Sequence, residues 1–322
     1  MKFRTEIIPK KISDFQFDVN SKIYLIGSCF SENIGNLLTV NKFESLSNPF
    51  GTIYNPYSIA DLINPAKNID ENLISSNEEI WFSFQMHSKI HETTKQEFLG
   101  LAKQIKDSSN KFIQRADYLI ITLGSEWVYQ LKSNQQIVAN CHKMPSDLFE
   151  KKLLTVDESV LYLKEGISQI RIKNPDLKVI VTISPVRHIK DTIELNSVSK
   201  SISRIVCHEL QNNLENCNYF PAYEILMDDL RDYRFYTSDL IHPNEQAVDY
   251  IWQFFRATYF SDKANEFVGK WTEAYASLQH RPFNPNSKSH QLFLKQLLTK
   301  LESLSELKDL RNEIAQVQSQ IK

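Results

Sequence analysis

The stretch Ile23-Tyr-Leu-Ile-Gly-Ser-Cys-Phe-Ser-Glu-Asn-Ile-Gly35 decides the fold. Ile23 to Ile26 is a short apolar run of β-formers, which predicts a buried strand. Gly27 ends it, and Ser28, Cys29 and Ser31 follow at once. From Glu32 the spacing of Ile34, Leu37 and Leu38 predicts a helix. A strand, a tight turn and a helix put the turn at the carboxyl edge of a sheet, where open α/β folds bind ligands. A helix N-terminus offers free N–H groups and partial positive charge, so a thiol there is expected to have a lowered pKa. The competing reading of Cys29 is a small buried apolar residue.

Working outward, helix-length segments separate further strands. Asp117-Tyr-Leu-Ile-Ile-Thr-Leu-Gly124 and Leu177-Lys-Val-Ile-Val-Thr-Ile-Ser184 are apolar and β-branched, as strands buried on both faces are. Helices are expected over 57–63, 94–115, 155–172, 196–214, 222–230 and 244–260, the third opened by a Thr155/Glu158 capping box. The alternation predicts βαβ units and a parallel sheet. Between them, Asn48-Pro-Phe-Gly-Thr-Ile-Tyr-Asn-Pro56 is a dense turn segment. After residue 290 the chain has neither Gly nor Pro. Apolar residues there recur every three or four positions, with one break in phase at Leu304–Leu307–Leu310. One long helix or two helices are expected, packing back on the chain or pairing in a homo-oligomer.

The chain has 322 residues and a formal net charge of -2, without a long basic run, which argues against nucleic acid as a partner. No apolar stretch is long enough to span a bilayer, and no signal-like segment opens the sequence, so a cytoplasmic location is expected. The four cysteines show no Cys-x-x-Cys pair and read as free thiols. His87 and His91 have no carboxylate or cysteine at metal spacing, so neither a metal nor another cofactor is expected.

A nucleophilic Cys29 needs a base. His242 lies in Asp239-Leu-Ile-His242-Pro, with the acid three residues before the histidine. In a turn that spacing lets the carboxylate hold one ring nitrogen and leaves the other as acceptor.

These motifs, in this order, resemble the SGNH (GDSL-type) hydrolase superfamily and, more closely, its GSCFA family, named for a Gly-Ser-Cys-Phe-Ala string. Here the string is Gly27-Ser-Cys-Phe-Ser31. Similar to the same family are Asn48–Pro56, Thr122-Leu-Gly124, Asn140-Cys-His-Lys143, Thr182–His188, Arg231-Asp-Tyr-Arg-Phe-Tyr236 and Asp239–Pro243. The resemblance implies a three-layer α/β/α domain with a flavodoxin-like parallel sheet over residues 1–262. Residues 263–322 would form a helical C-terminal extension. It implies acyl-ester hydrolysis or O-acyl transfer on a carbohydrate or small-molecule ester. The catalytic group would be Cys29, His242 and Asp239, working through a thioester.

Laid on the superfamily's blocks, Gly27, Ser28 and Cys29 stand for Gly-Asp-Ser, and Gly51 for the oxyanion-hole glycine. The third block, Gly-x-Asn, reads Gly124-Ser125-Glu126 here. A carboxylate cannot donate a hydrogen bond, so the expected oxyanion asparagine is missing. Replacements to consider are Ser125, the amides of Cys29 and Gly51, Asn48, Asn55 and the Asn140–His142 loop. Ser28, Asn55, Glu126, His142 and Arg187 are candidate substrate contacts. A different class of function stays open, a degenerate site serving as a ligand-binding or assembly module.

Overall fold

The computed structural model describes residues 4–77, 79–190 and 192–322. In chain order the strands are β1 (Lys22–Gly27), β2 (Glu44–Ser47), β3 (Ile74–Ser76), β4 (Trp81–Ser83), β5 (Tyr118–Leu123), β6 (Trp127–Leu131), β7 (Ile137–Val138), β8 (Phe149–Leu153), β9 (Lys178–Ile183) and β10 (Cys217–Phe220). The helices are α1 (Cys29–Val40), α2 (Pro56–Ile63), α3 (Lys95–Ile113), α4 (Val156–Arg171), α5 (Ile193–Asn213), α6 (Ala222–Glu224), α7 (Glu245–Tyr259), α8 (Asp262–Leu278), α9 (Lys288–Ser305) and α10 (Arg311–Gln318). The backbone runs on from α6 as a π-helical turn, Ile225–Leu230.

Five strands form one parallel sheet in the order β10-β9-β5-β1-β2. Counted within the sheet this is 2-1-3-4-5, the flavodoxin-like order. The chain leaves β1 for one neighbour, β2, and returns on the other side as β5, so the switch point lies at the carboxyl ends of β1 and β5. Side chains alternate across the pleat. Tyr24, Ile26, Leu119, Ile121, Val179 and Val181 share a core with apolar residues of α2 to α5. Ile23, Leu25, Ile120 and Ile180, on the opposite face, are equally buried, and α1 covers that face, with Gly35 lying over Leu25 and Ser47. The expected three-layer α/β/α arrangement is the one observed.

Two contact-dense units are distinguished. One comprises residues 1–8, 22–37 and 44–253, and the other 9–21, 38–43 and 254–322. The first holds the parallel sheet, the β3–β4 hairpin and a small antiparallel sheet, β7-β6-β8. The second is aromatic and helical. Within it Phe17 packs on Phe255, Tyr259 and Phe260, and Leu294, Leu297, Leu301 and Leu304 of α9 are buried.

The phase break read in the tail is a real interruption, because α9 ends at Ser305 and α10 begins at Arg311. The small antiparallel sheet and β2 were not legible. Glu44-Ser-Leu-Ser47 carries no β-branched residue, and although Trp127-Val-Tyr129 are β-formers, β6 to β8 are short and mostly half-exposed, so none stands out as a buried strand.

Candidate active site

Cys29 opens α1 directly after the last residue of β1. Gly27 makes the turn with φ +139, and a Cβ there would sit 2.1 Å from the Thr122 carbonyl oxygen. Only glycine tolerates both constraints. The Ser28 amide donates to that same carbonyl at 3.1 Å, so the nucleophile turn lies against β5. The thiol is half-buried. Burial raises its pKa, and this outweighs the lowering by the Cys29 and Phe30 amides and the nearby Lys200. The lowered pKa expected from the helix N-terminus is therefore corrected. Desolvation of the thiolate exceeds the dipole contribution, and the resting sulfur holds its proton.

The Asn48–Pro56 segment spans the switch point. Asn48 Oδ1 accepts from the Gly27 amide at 2.9 Å, and its Nδ2 donates to the Ser28 carbonyl at 3.3 Å. The Ile53 amide donates to the Gly27 carbonyl at 2.9 Å, and the Tyr54 carbonyl accepts from the Gly124 and Ser125 amides. One loop thus ties the ends of β1 and β5 together.

Asp239 and His242 meet on a turn ahead of α7. Asp239 Oδ2 lies 2.7 Å from His242 Nδ1. Its Oδ1 accepts from the Thr237 hydroxyl and from the Ile241 and His242 amides, at 2.6, 2.8 and 3.0 Å. These four donors hold the carboxyl well below the usual carboxylate range. The Arg187 amide, in the segment after β9, donates to the Ile241 carbonyl at 3.5 Å, and its guanidinium to the Leu240 carbonyl at 3.4 Å. The turn therefore lies along the carboxyl edge from which Cys29 rises two strands away. No hydrogen bond joins Cys29 Sγ to His242 among the described residues.

Several residues assigned to the site from sequence are engaged with other groups of the protein. The Gly51 amide closes a turn onto the Asn48 carbonyl at 2.8 Å, so it is not available to an oxyanion. The Ser125 hydroxyl is engaged with Ser199 at 3.2 Å. Ser28 is fully buried, its hydroxyl accepting from the Phe30 amide. Asn55 caps α2 by accepting from the Ser58 amide at 2.8 Å, and is buried. His142 brackets the Ser83 and Met86 carbonyls through Nε2 at 2.9 and 3.0 Å, and stacks on Phe82. Burial pushes its pKa down to about 4, leaving it neutral. Each of these four side chains thus spends at least one polar atom on a neighbouring protein group. Of the donors considered for the oxyanion, the Cys29 amide, which also faces its own sulfur, and the second Nδ2 hydrogen of Asn48 stand at the elbow.

Glu126 is withdrawn altogether. It is fully buried, and its two oxygens accept from Ser159 of α4 and Ser203 of α5 at 2.6 and 2.7 Å. Burial pushes its carboxyl up to about 7, against the lowering by both serines and Lys200. Lys200 of α5, also buried, donates to the Gly124 and Ser184 carbonyls at 2.8 and 2.9 Å. Burial pushes its ammonium down to about 7, against the raising by Glu126 and Cys29. Lys200 thus pins the residues just beyond β5 and β9 and places a cation in the field of Cys29. Sequence reasoning missed it. The available signal was a polar set, Ser199, Lys200 and Ser203, on the face that α5 turns toward the sheet.

Among the described residues no group of three or more His, Cys, Asp or Glu side chains is placed to hold a metal ion. No described helix is long and apolar enough to cross a membrane.

The family model described as "GSCFA family" matches residues 22–255, and that of the "GSCFA domain protein, C-terminal domain" matches residues 271–322. No curated protein matches the sequence. Among solved structures, a family 3 carbohydrate esterase of Clostridium thermocellum is 13% identical, with 78% of this chain and 100% of that one covered and a TM-score of 0.35. A family two carbohydrate esterase of the same organism, in complex with cellohexaose, is 10% identical, with 83% and 67% covered and a TM-score of 0.34. An acetyl xylan esterase from Butyrivibrio proteoclasticus is 11% identical, with 80% and 64% covered and a TM-score of 0.35.

Proposed function

The chain belongs to the GSCFA family, and from that premise we propose that it cleaves an acyl ester of a carbohydrate or small molecule through a thioester on Cys29. The observation that carries the reading is the Asp239–His242 pair, 2.7 Å apart on a turn bonded to the segment after β9. That turn shares its sheet edge with the Cys29 elbow. Asp239 fixes the tautomer with a proton on Nδ1, which leaves Nε2 as the base.

Cys29 Sγ attacks the acyl carbon, and the thiol proton passes to His242 Nε2. The tetrahedral intermediate places its oxyanion toward the Cys29 amide and the second Nδ2 hydrogen of Asn48, two donors at the elbow. Its collapse breaks the carbon–oxygen bond, and the leaving alkoxide takes the proton from His242. Water, deprotonated by His242, then attacks the thioester and releases the acid and the thiol. A sugar hydroxyl in place of water gives O-acyl transfer through the same intermediate.

The test is hydrolysis of p-nitrophenyl acetate by wild type, Cys29→Ala and His242→Ala, with mass spectrometry of the quenched enzyme. Acyl label on Cys29 and a loss of roughly 10²- to 10⁴-fold in both variants are expected. Equal rates in all three proteins would end the reading.

A further inference from the structure

Beside the Asp239–His242 turn lies a cavity of about 420 Å³ that the chemistry above does not use. It is built from two sequence motifs whose role was open, Thr182–His188 and Arg231–Tyr236, together with the residues between α6 and the second motif. We propose that this cavity is the subsite for the alcohol portion of the substrate and that its occupant is a neutral glycosyl unit. The proposal rests on the acyl-ester reading for its place in catalysis.

Position comes first. Arg187 forms one wall, and its backbone and guanidinium hold the Ile241 and Leu240 carbonyls, the two residues between Asp239 and His242. Tyr236 forms another wall. It pairs with Pro243 in an antiparallel bridge, and the Thr237 amide donates to the His242 carbonyl at 2.8 Å. Two walls of the cavity are therefore bonded to the turn that carries the base.

The backbone is unusual at the same place. Leu226, Met227 and Asp228 line the cavity from the π-helical turn, closed by the Arg231 amide donating to the Leu226 carbonyl at 3.0 Å. Arg231 itself is left-handed, with φ 40 and ψ 35. π-Turns and left-handed non-glycine residues cost conformational energy and concentrate at functional sites.

Chemistry selects the occupant. Tyr223, Tyr233 and Tyr236 supply aromatic faces. The Arg187 guanidinium covers one face of Tyr233 and of Tyr236, at 5.2 and 4.6 Å from the ring centroids. Tyr233 is nevertheless 61% exposed, with its ring tilted against Tyr236 at 5.8 Å. Around these rings stand two cations, Arg187 and Arg231, and two anions, Asp228 and Asp232. The charges cancel, which removes the attraction a phosphate or carboxylate ligand needs. A flat apolar ring surface rimmed by balanced donors and acceptors suits a pyranose, which offers C–H bonds on its face and hydroxyls on its edge. The volume falls in the range of small-molecule sites.

The experiment uses the full chain as Cys29→Ala, so that binding is read without turnover. Cellobiose, xylobiose and N,N′-diacetylchitobiose are titrated by saturation-transfer NMR and calorimetry, with inorganic phosphate in parallel. At least one disaccharide is expected to bind. Adding Tyr233→Ala or Asp228→Ala should weaken it about tenfold or more, whereas Tyr233→Phe, which keeps the ring, should retain it. Circular dichroism verifies that the variants fold. Three results overturn the proposal: none of the sugars binds, a sugar binds equally well in the Tyr233 and Asp228 variants, or phosphate binds and the sugars do not. Because the readout is binding, an inactive wild type that still binds sugar sinks the acyl-ester reading and the cavity's place in catalysis but keeps the glycosyl site, whereas active enzyme with no sugar binding overturns the glycosyl site alone.

Discussion

Cys29 combines two opposed influences. Its position at the start of α1 favours the thiolate, and its burial disfavours it more. A thiol that keeps its proton at rest makes the base obligatory, so attack waits for transfer to His242. Alkylation by iodoacetamide reads this directly. The rate is expected to rise with pH with a midpoint above that of an unperturbed cysteine, about 8.5. A midpoint below about 7 would contradict the resting state drawn here. His142 and Asn55 show the opposite lesson at the same scale. Both are polar residues in motif-like loops, and both turn out to satisfy backbone groups.

At the scale of elements, the Asn48–Pro56 loop does more than connect β2 to α2. Asn48 sits in the left-handed region, at φ 44, and its amide, carboxamide oxygen and carboxamide nitrogen serve three different backbone atoms of residues 25–28. Asn48→Ala removes both side-chain bonds and leaves the Gly27 amide unsatisfied. A destabilisation of about 1–3 kcal/mol is expected by urea denaturation. The rate of ester cleavage should fall by more than the folded fraction explains, since Asn48 also orients the elbow. An Asn48→Ala protein as stable and as active as wild type would show that the loop merely spans a gap. The capping box of α4 and the phase break before α10 were readable in advance, because each is a relation between residues a few positions apart. The β7-β6-β8 sheet was not, since its strands are short and pair across loops.

The buried Glu126–Lys200 group acts on the whole molecule through linkage. Glu126 keeps its proton in the folded protein up to about pH 7, whereas the unfolded chain loses it near 4.5. Between those values the folded state binds more protons, so stability falls as pH rises through that window. The full effect is at most about 3 kcal/mol. Lys200 works in the other direction at higher pH. Its folded pKa of about 7 lies below the unfolded 10.5, so stability recovers as pH rises above neutrality. Thermal denaturation from pH 5 to 7 should show the decline in wild type and a flatter profile in Glu126→Gln, which cannot titrate. Parallel profiles for the two proteins would mean that Glu126 stays ionised throughout, held by Ser159 and Ser203.

The amino-acid sequence by itself determined the β1–turn–α1 elbow, the parallel order of helices and strands, and the Asp239–His242 pairing. Each is carried by contacts within a few residues or by a period of two or 3.6, and such relations survive in any fold that contains them. Gly124-Ser-Glu126 could be recognised as altered, but not explained. Only the tertiary structure decided where Glu126 goes, because its partners are Ser159 on α4 and Ser203 on α5, 33 and 77 residues away. The same holds for Lys200 reaching the Gly124 carbonyl across 76 residues, and for Arg187 reaching Leu240 across 53. Burial set the protonation of Cys29 against its local dipole, and burial is a property of everything packed around a residue rather than of its neighbours in the chain.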